Sequence, residues 1–206
     1  MVNLTRIYTR TGDDGRTRLG DMSETSKTDL RLLAYADVDE ANSQIGYALA
    51  VGRIGGIGGI GGIGEDGEDG EEVVAVLRQV QNDLFDVGAD LSCPVVTDPK
   101  FPPLRVQQSY VDRLEGWCDT YNEPLETLRS FILPGGTVAS SVLHVARTVT
   151  RRAERSTWAA LAEHGDSMNV LTARYLNRLS DLLFILARYA NRESGDVLWQ
   201  PGANQQ

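Results

Sequence analysis

The chain has 206 residues, with 29 acidic and 20 basic side chains and a net charge of −9. That length suits one domain whose core needs no staples, and the acidic balance excludes general affinity for nucleic acid or anionic membranes, so any basic site is local. Two cysteines, Cys93 and Cys118, lack C-x-x-C spacing, and the two histidines, His144 and His164, fall in no zinc or di-iron helix motif.

The opening MVNLTRIYTRTGDDG carries no apolar core of signal-peptide length, and no later apolar run reaches the roughly 18 residues of a membrane span. A cytoplasmic protein with reduced thiols is expected. Residues 1–25 show no helical period. Thr9-Arg10-Thr11-Gly12-Asp13-Asp14-Gly15 is a tight polar turn, either an ordinary surface turn or a nest whose N–H groups and hydroxyls face an anion. It is not a Walker A loop. Lys27 adds a cation just beyond it.

From about 26 to 51, Leu30, Leu33, Val38, Ala41, Ile45, Ala48 and Leu49 recur at helical spacing. This first helix carries Asp37, Asp39, Glu40 and Asn42, which face either solvent or arginines from elsewhere in the fold or from another subunit. The G-G-I repeats and acidic glycine run at 52–72 cannot bury enough surface to offset chain entropy, so a mobile connector is expected there. Val73, Val76, Leu77, Val80, Leu84, Val87 and Leu91 then mark a second helix, ended by the prolines from Pro94 to Pro103. A third runs from about Gln107 to Tyr121, with Val111, Leu114, Cys118 and Tyr121 inward.

Ser130-Phe131-Ile132-Leu133-Pro134-Gly135-Gly136-Thr137 leads into the fourth helix, which Thr137 is placed to cap. Phe131 stands at this junction either as a core plug or as an aromatic facing a flat ligand. Inside the fourth helix, which extends to about Glu163, Arg147, Arg151, Arg152 and Arg155 fall within nine residues. At 100° per residue, Val142, Ala146, Val149 and Ala153 form an apolar stripe, with His144, Arg147, Arg151 and Arg155 opposite. That outer face either is solvated, with pairs such as Arg151 and Glu154, or meets a carboxylate or phosphate. After a turn at His164-Gly165-Asp166, a fifth helix runs to about Asn191 with Leu176, Leu179, Leu183, Leu186 and Ala190 inward. Asn177, Asp181 and Arg188 share its other face, and Trp199 in the tail either anchors that tail or covers a ligand. Five long helices with almost no strand signal predict an all-α, up-and-down five-helix bundle. It would be one domain over 1–206, with a non-helical N-terminal segment at 1–25 and a tail at 192–206.

Three separated stretches, YTRTGDDG with Thr17 and Lys27, FILPGG with HVARTVTRRAERS, and LNRLSDLLFILARYAN, together resemble the PduO-type ATP:corrinoid adenosyltransferases. The likeness runs from about Arg6 to Gln200 and skips only the glycine-rich stretch. It implies transfer of the 5′-deoxyadenosyl group of ATP to the cobalt of cob(I)alamin, giving adenosylcobalamin and triphosphate, with Mg²⁺ present. It also implies a homotrimer with ATP at each subunit interface. Thr9, Arg10, Thr11, Gly12, Thr17 and Lys27 would bind ATP, as would the block Arg151, Arg152, Ala153, Glu154 and Arg155, and Asn177. Phe131 would displace the lower ligand of the corrin, and Arg147 would pair across the interface with Asp39 or, alternatively, Asp37. Arg151 and Phe131 are the implied catalytic residues. Cobalt is the nucleophile and no proton moves, which fits a chain without a His/Asp or Cys/His constellation. A corrinoid reductase and a cobalamin-dependent mutase are expected partners. The competing reading is a noncatalytic corrinoid or nucleotide carrier, which would need no clamp for a leaving group.

Overall fold

The computed structural model describes residues 8, 10–54, 68–99 and 102–202, with side chains at 52–54, 68 and 69 excluded. Thr9 and the 55–67 part of the glycine-rich connector lie outside the described residues. Five helices form the expected bundle: α1 Leu30–Ile54, α2 Glu68–Ser92, α3 Gln108–Asn122, α4 Val138–His164 and α5 Leu171–Ala190. The helices reach further into the glycine-rich stretch than its composition predicts, since α1 continues to Ile54 and α2 begins at Glu68. One element has no counterpart in the sequence reading. Strands β1 Arg16–Arg18 and β2 Glu24–Ser26 pair as an antiparallel hairpin with Thr17 opposite Thr25, too short for alternation to register.

The core follows the helical periods. Val38, Ala41, Ile45 and Ala48 of α1, Leu77, Val80, Leu84 and Val87 of α2, and Leu176, Leu179, Leu183 and Leu186 of α5 are all buried together. Leu33 is the exception, 49% exposed, because it is turned 100° from the line of Ala34, Val38, Ala41 and Ile45. In α3, Val111, Leu114 and Tyr121 are buried and Cys118 half-buried. Burial pushes the Cys118 thiol up to about 11, the behaviour of a packed thiol rather than a nucleophile.

α4 packs against both α1 and α5. Ala139, Ala146, Ala153 and Ala160 are buried at every seventh position, which lets both neighbours come close. Thr150 and Thr157, buried between them, return their hydroxyls to the carbonyls of Ala146 and Ala153 at 2.9 and 2.8 Å. Thr137 caps the helix by accepting from the Ser140 amide at 3.1 Å. Two-sided packing widens the buried arc beyond the apolar stripe, and this corrects the expectation for His144. It is 3% exposed and lies inside rather than on the arginine face. Neither ring nitrogen has a partner among the described residues. Burial, reinforced by Arg147 and opposed by Asp196, holds its pKa below the usual histidine value.

Buried polar groups lock the helices in register. Arg31, 2% exposed, donates to the Leu91 carbonyl and the Ser167 hydroxyl, both at 2.9 Å, tying α1 to the end of α2 and to the 3-10 turn Gly165–Ser167. Asp83 accepts from Gln79 at 2.8 Å, Arg113 at 2.6 Å and the Tyr175 hydroxyl at 3.1 Å, joining α2, α3 and α5. Arg188 corrects a second expectation. It is buried instead of sharing an outer face with Asn177, and it bonds Asp196 at 3.0 Å and the Glu126 carbonyl at 2.7 Å, because flanking segments cover the last turns of α5.

Asp83→Ala leaves the buried Tyr175 hydroxyl without an acceptor and is expected to cost about 2–3 kcal/mol in urea unfolding; a loss under about 0.5 kcal/mol would show that this network does not hold α2 to α5. For His144, the unfolded chain takes up a proton near pH 6.5 while the folded chain resists it, so stability falls as pH drops below about 6.5. His144→Gln is expected to flatten that slope in unfolding curves taken at about pH 8 and pH 5.5.

Candidate active site

The sequence-derived candidates fall into three groups strung along α4. The first is the N-terminal hairpin and the turn before it. Gly15, at φ +82°, donates to the Gly12 carbonyl at 3.3 Å and accepts from the Lys27 amide at 2.9 Å. The Lys27 ammonium lies over Gly12 so closely that a Cβ there would stand 3.0 Å from Nζ; glycine at this position is what lets the cation sit on the turn. Arg10 adopts φ +61° and places its guanidinium 5.8 Å from the Tyr8 ring. Thr11 is exposed and Thr17 half-buried on β1. Gly20 donates to the Ser92 carbonyl at 2.8 Å, and Thr25 donates to Asp29 at 2.7 Å, while Asp29 meets His164 Nε2 at 2.8 Å. Burial opposes ionisation of Asp29, but hydrogen bonds from Thr25, the Arg31 amide and His164 more than offset it and hold the carboxyl below its usual range. These bonds fasten the hairpin at the C-terminal end of α4.

The second group is the outward arc in the middle of α4. Arg151 and Arg155 are exposed and have no carboxylate partner among the described residues. Glu154 turns instead to α5, where Asn177 donates to its Oε1 at 3.1 Å, and the same oxygen accepts from the indole of Trp158 in α4 at 3.4 Å. Trp158 stands in no recognised motif; its one signal is its position one turn after Glu154. Arg152 behaves differently from its neighbours. It binds Asp37 at 3.5 Å and also Glu40, and Ser156 donates to Asp37 as well, so this arginine joins α4 to α1 of its own chain. Ala153 is wholly buried and its side chain is a core spacer. Arg147 lies 5.9 Å from the Phe184 ring, its Nε is buried without a partner among the described residues, and burial and then Arg151 hold its pKa below the usual arginine value. Asp39, the first candidate to meet it, is exposed, whereas Asp37 is engaged within the chain.

The third group is at the N-terminal end of α4. Phe131 is 77% exposed, which rejects the core-plug alternative. The tail runs antiparallel to its segment: Ile132 bridges Leu198, Trp199 donates to the Phe131 carbonyl at 2.7 Å and Leu133 to the Val197 carbonyl at 2.8 Å. The Trp199 ring lies 6.0 Å from that of Phe131, so Trp199 anchors the tail and extends the exposed aromatic surface. With a rise of 1.5 Å per residue, Arg151 is about 20 Å from either end of α4, and the hairpin of the same chain is fastened at the far end. Among the described residues, no group of three His, Cys, Asp or Glu side chains could hold a metal ion, and no helix is long and apolar enough to cross a membrane.

A family model described as cobalamin adenosyltransferase matches residues 7–190. A corrinoid adenosyltransferase of Mycobacterium tuberculosis strain H37Rv is 61% identical over 204 residues, covering 99% of this chain and 97% of that protein. The corrinoid adenosyltransferase of Bacillus subtilis strain 168 is 41% identical over 200 residues, with 96% and 94% covered. Among solved structures, a variant of the PduO-type ATP:corrinoid adenosyltransferase from Lactobacillus reuteri, complexed with cobalamin and ATP, superposes with a TM-score of 0.81 at 35% identity, covering 95% of this chain and 97% of that one. Sequence, family model and fold agree over nearly the whole length, and the chain belongs to the PduO-type cobalamin adenosyltransferase family.

Proposed function

We propose that this protein transfers the 5′-deoxyadenosyl group of ATP to the cobalt of cob(I)alamin, forming adenosylcobalamin and triphosphate. The observation that carries the reading is the pair of exposed guanidinium groups, Arg151 and Arg155, without a carboxylate partner among the described residues, in a chain of net charge −9 whose solved relative holds ATP and cobalamin. The cobalt lone pair attacks C5′, the C5′–O bond breaks, and its electron pair leaves with triphosphate. No proton has to move, so the protein's task is alignment and neutralisation of the charge that develops on the leaving group. Arg151, Arg155 and Lys27 supply that positive charge. Thr9, Arg10, Thr11, Gly12 and Thr17 wrap the phosphates, and the Glu154–Asn177 pair fixes the nucleoside side of the cleft.

Mg²⁺ fits this arrangement as a companion of the nucleotide. With no cluster of three His, Cys, Asp or Glu side chains among the described residues, it would be held by phosphate oxygens and water with at most a contact to Glu154 or Asn177, the usual mode for this ion. The working unit is a homotrimer. The hairpin is fastened at the His164 end of α4, about 20 Å along the helix from Arg151, which supports a site made from the hairpin of one copy and α4 of another. The Arg147 Nε, without a partner among the described residues, fits a carboxylate brought by the neighbouring α1, and Asp39 is the exposed candidate. Arg152, already bound to Asp37 and Glu40, sets the pitch of α4 against α1. Phe131 excludes the axial ligand below the corrin, leaving four-coordinate Co(II), which a reductase converts to Co(I); a cobalamin-dependent mutase takes the product.

The deciding assay follows loss of cob(I)alamin absorbance with ATP under reducing conditions, and no adenosylated product would leave only a carrier role. Arg151→Ala is expected to lower kcat/KM by about 100-fold, the scale of one lost transition-state donor; a loss under about fivefold would return Arg151 to the worth of a solvated surface charge. Phe131→Ala is expected to leave KM for ATP within about twofold while kcat falls by about 100-fold, the signature of an interaction absent from nucleotide binding. Unchanged kcat in that variant would remove Phe131 from the reaction.

A further inference from the structure

Asn191 closes the LNRLSDLLFILARYAN stretch and touches none of the groups above, yet it is 3% exposed and uses every hydrogen-bonding capacity of its amide. Its Oδ1 accepts from the Thr137 amide at 3.0 Å and from the Thr137 hydroxyl at 3.1 Å. Its Nδ2 donates to the Gly135 carbonyl at 3.0 Å and to Asp196 at 3.2 Å. An asparagine offers two acceptor lone pairs and two donors, and all four are filled. A Cβ on Gly136, which sits at φ +100°, would fall under 3.0 Å from the heavy atoms of this carboxamide. Only glycine at that position admits the contact.

The two segments that Asn191 grips are the two that place Phe131. One is the Pro134-Gly135-Gly136-Thr137 turn, which connects Phe131 to the start of α4. The other is the tail from Asp196, whose Val197 and Trp199 bond the backbone of Leu133 and Phe131. The Phe131 ring itself is exposed and has little packing of its own to fix it. We infer that Asn191 is a positioning residue for the corrinoid half of the reaction: from beneath the turn it sets where the Phe131 ring stands, without touching either substrate. The inference rests on the role proposed for Phe131.

The test is a double-mutant cycle between Asn191→Ala and Phe131→Ala, measured with ATP and cob(II)alamin under reducing conditions. Asn191→Ala is expected to lower kcat by about tenfold or more, the effect of moving a reacting-centre neighbour by about an ångström, with KM for ATP within about twofold. The electron paramagnetic resonance signal of bound cob(II)alamin should lose four-coordinate character in both single variants. The double variant should be no slower than Phe131→Ala alone, because residues that act as a unit are not additive. Wild-type kcat in Asn191→Ala, or fully additive losses in the double variant, would overturn the inference. Asn191→Ser, which keeps a small acceptor near Thr137, carries the same comparison if Asn191→Ala does not fold. A silent Phe131→Ala would instead remove the role of Phe131, an outcome distinct from a silent Asn191→Ala beside an impaired Phe131→Ala.

Discussion

The fold depends on α4 being enclosed on two sides. With α1 on one flank and α5 on the other, the helix keeps only a narrow outward arc, and alanine at every seventh position makes the double contact possible. Arg151, Glu154 and Arg155, the α4 side chains proposed to meet ATP, stand on that arc. A bulkier residue at Ala146 or Ala153 would push a neighbouring helix away, and with α1 would go the Asp37 and Glu40 carboxylates that hold Arg152. The packing of small residues and the orientation of the arginines are therefore one constraint.

Charge is sorted on the same principle. Arg31 and Arg188 are buried and Arg105 and Arg113 half-buried, and each meets carbonyls or a carboxylate that fixes two segments together. Arg147, Arg151 and Arg155 instead repeat at every fourth position, which puts like charges on adjacent turns and costs a helix about 0.2–0.5 kcal/mol per pair. In a chain with 29 acidic side chains, carboxylates to relieve that repulsion were available in quantity, yet they are spent elsewhere. A cationic ladder left without carboxylates among the described residues supports the proposal that its anion arrives from outside.

Much of this was legible in the sequence, because it rests on periodicity. Val73 to Leu91 and Leu176 to Ala190 repeat at helical spacing and pack as that spacing demands, and Thr137 caps the helix it precedes. What escaped depends on what covers a helix rather than on the helix itself. His144 lies on the polar side of a single-stripe projection, but a helix with two packed flanks buries it. Arg188 looks solvent-facing until the tail and the 123–130 segment close over it. The hairpin of three-residue strands and the bond from Trp158 to Glu154 have too little repeat to leave a pattern. For the site, spacing drew the arginine face but could not choose between solvent, carboxylate and phosphate; family resemblance supplied the ligand, and the structure separated Arg152 from Arg151 and Arg155.

The length of α4 then decides how a site can be assembled. Lys27 is locked over Gly12 near the His164 end, Phe131 and its aromatic neighbour stand at the Thr137 end, and Arg151 lies midway, about 20 Å from each, with Arg155 one turn nearer the His164 end. Bending α4 to shorten that separation would break the two-sided packing that orients it. In the proposed trimer a second hairpin, carried by another copy of the chain, comes to the arginines instead. The buried Nε of Arg147, without a partner among the described residues, supports the same proposal, since a desolvated donor costs about 1–3 kcal/mol until an acceptor meets it. A neighbouring subunit that supplies a carboxylate there would also deliver its hairpin, so assembly and nucleotide binding become one event on the same face of α4.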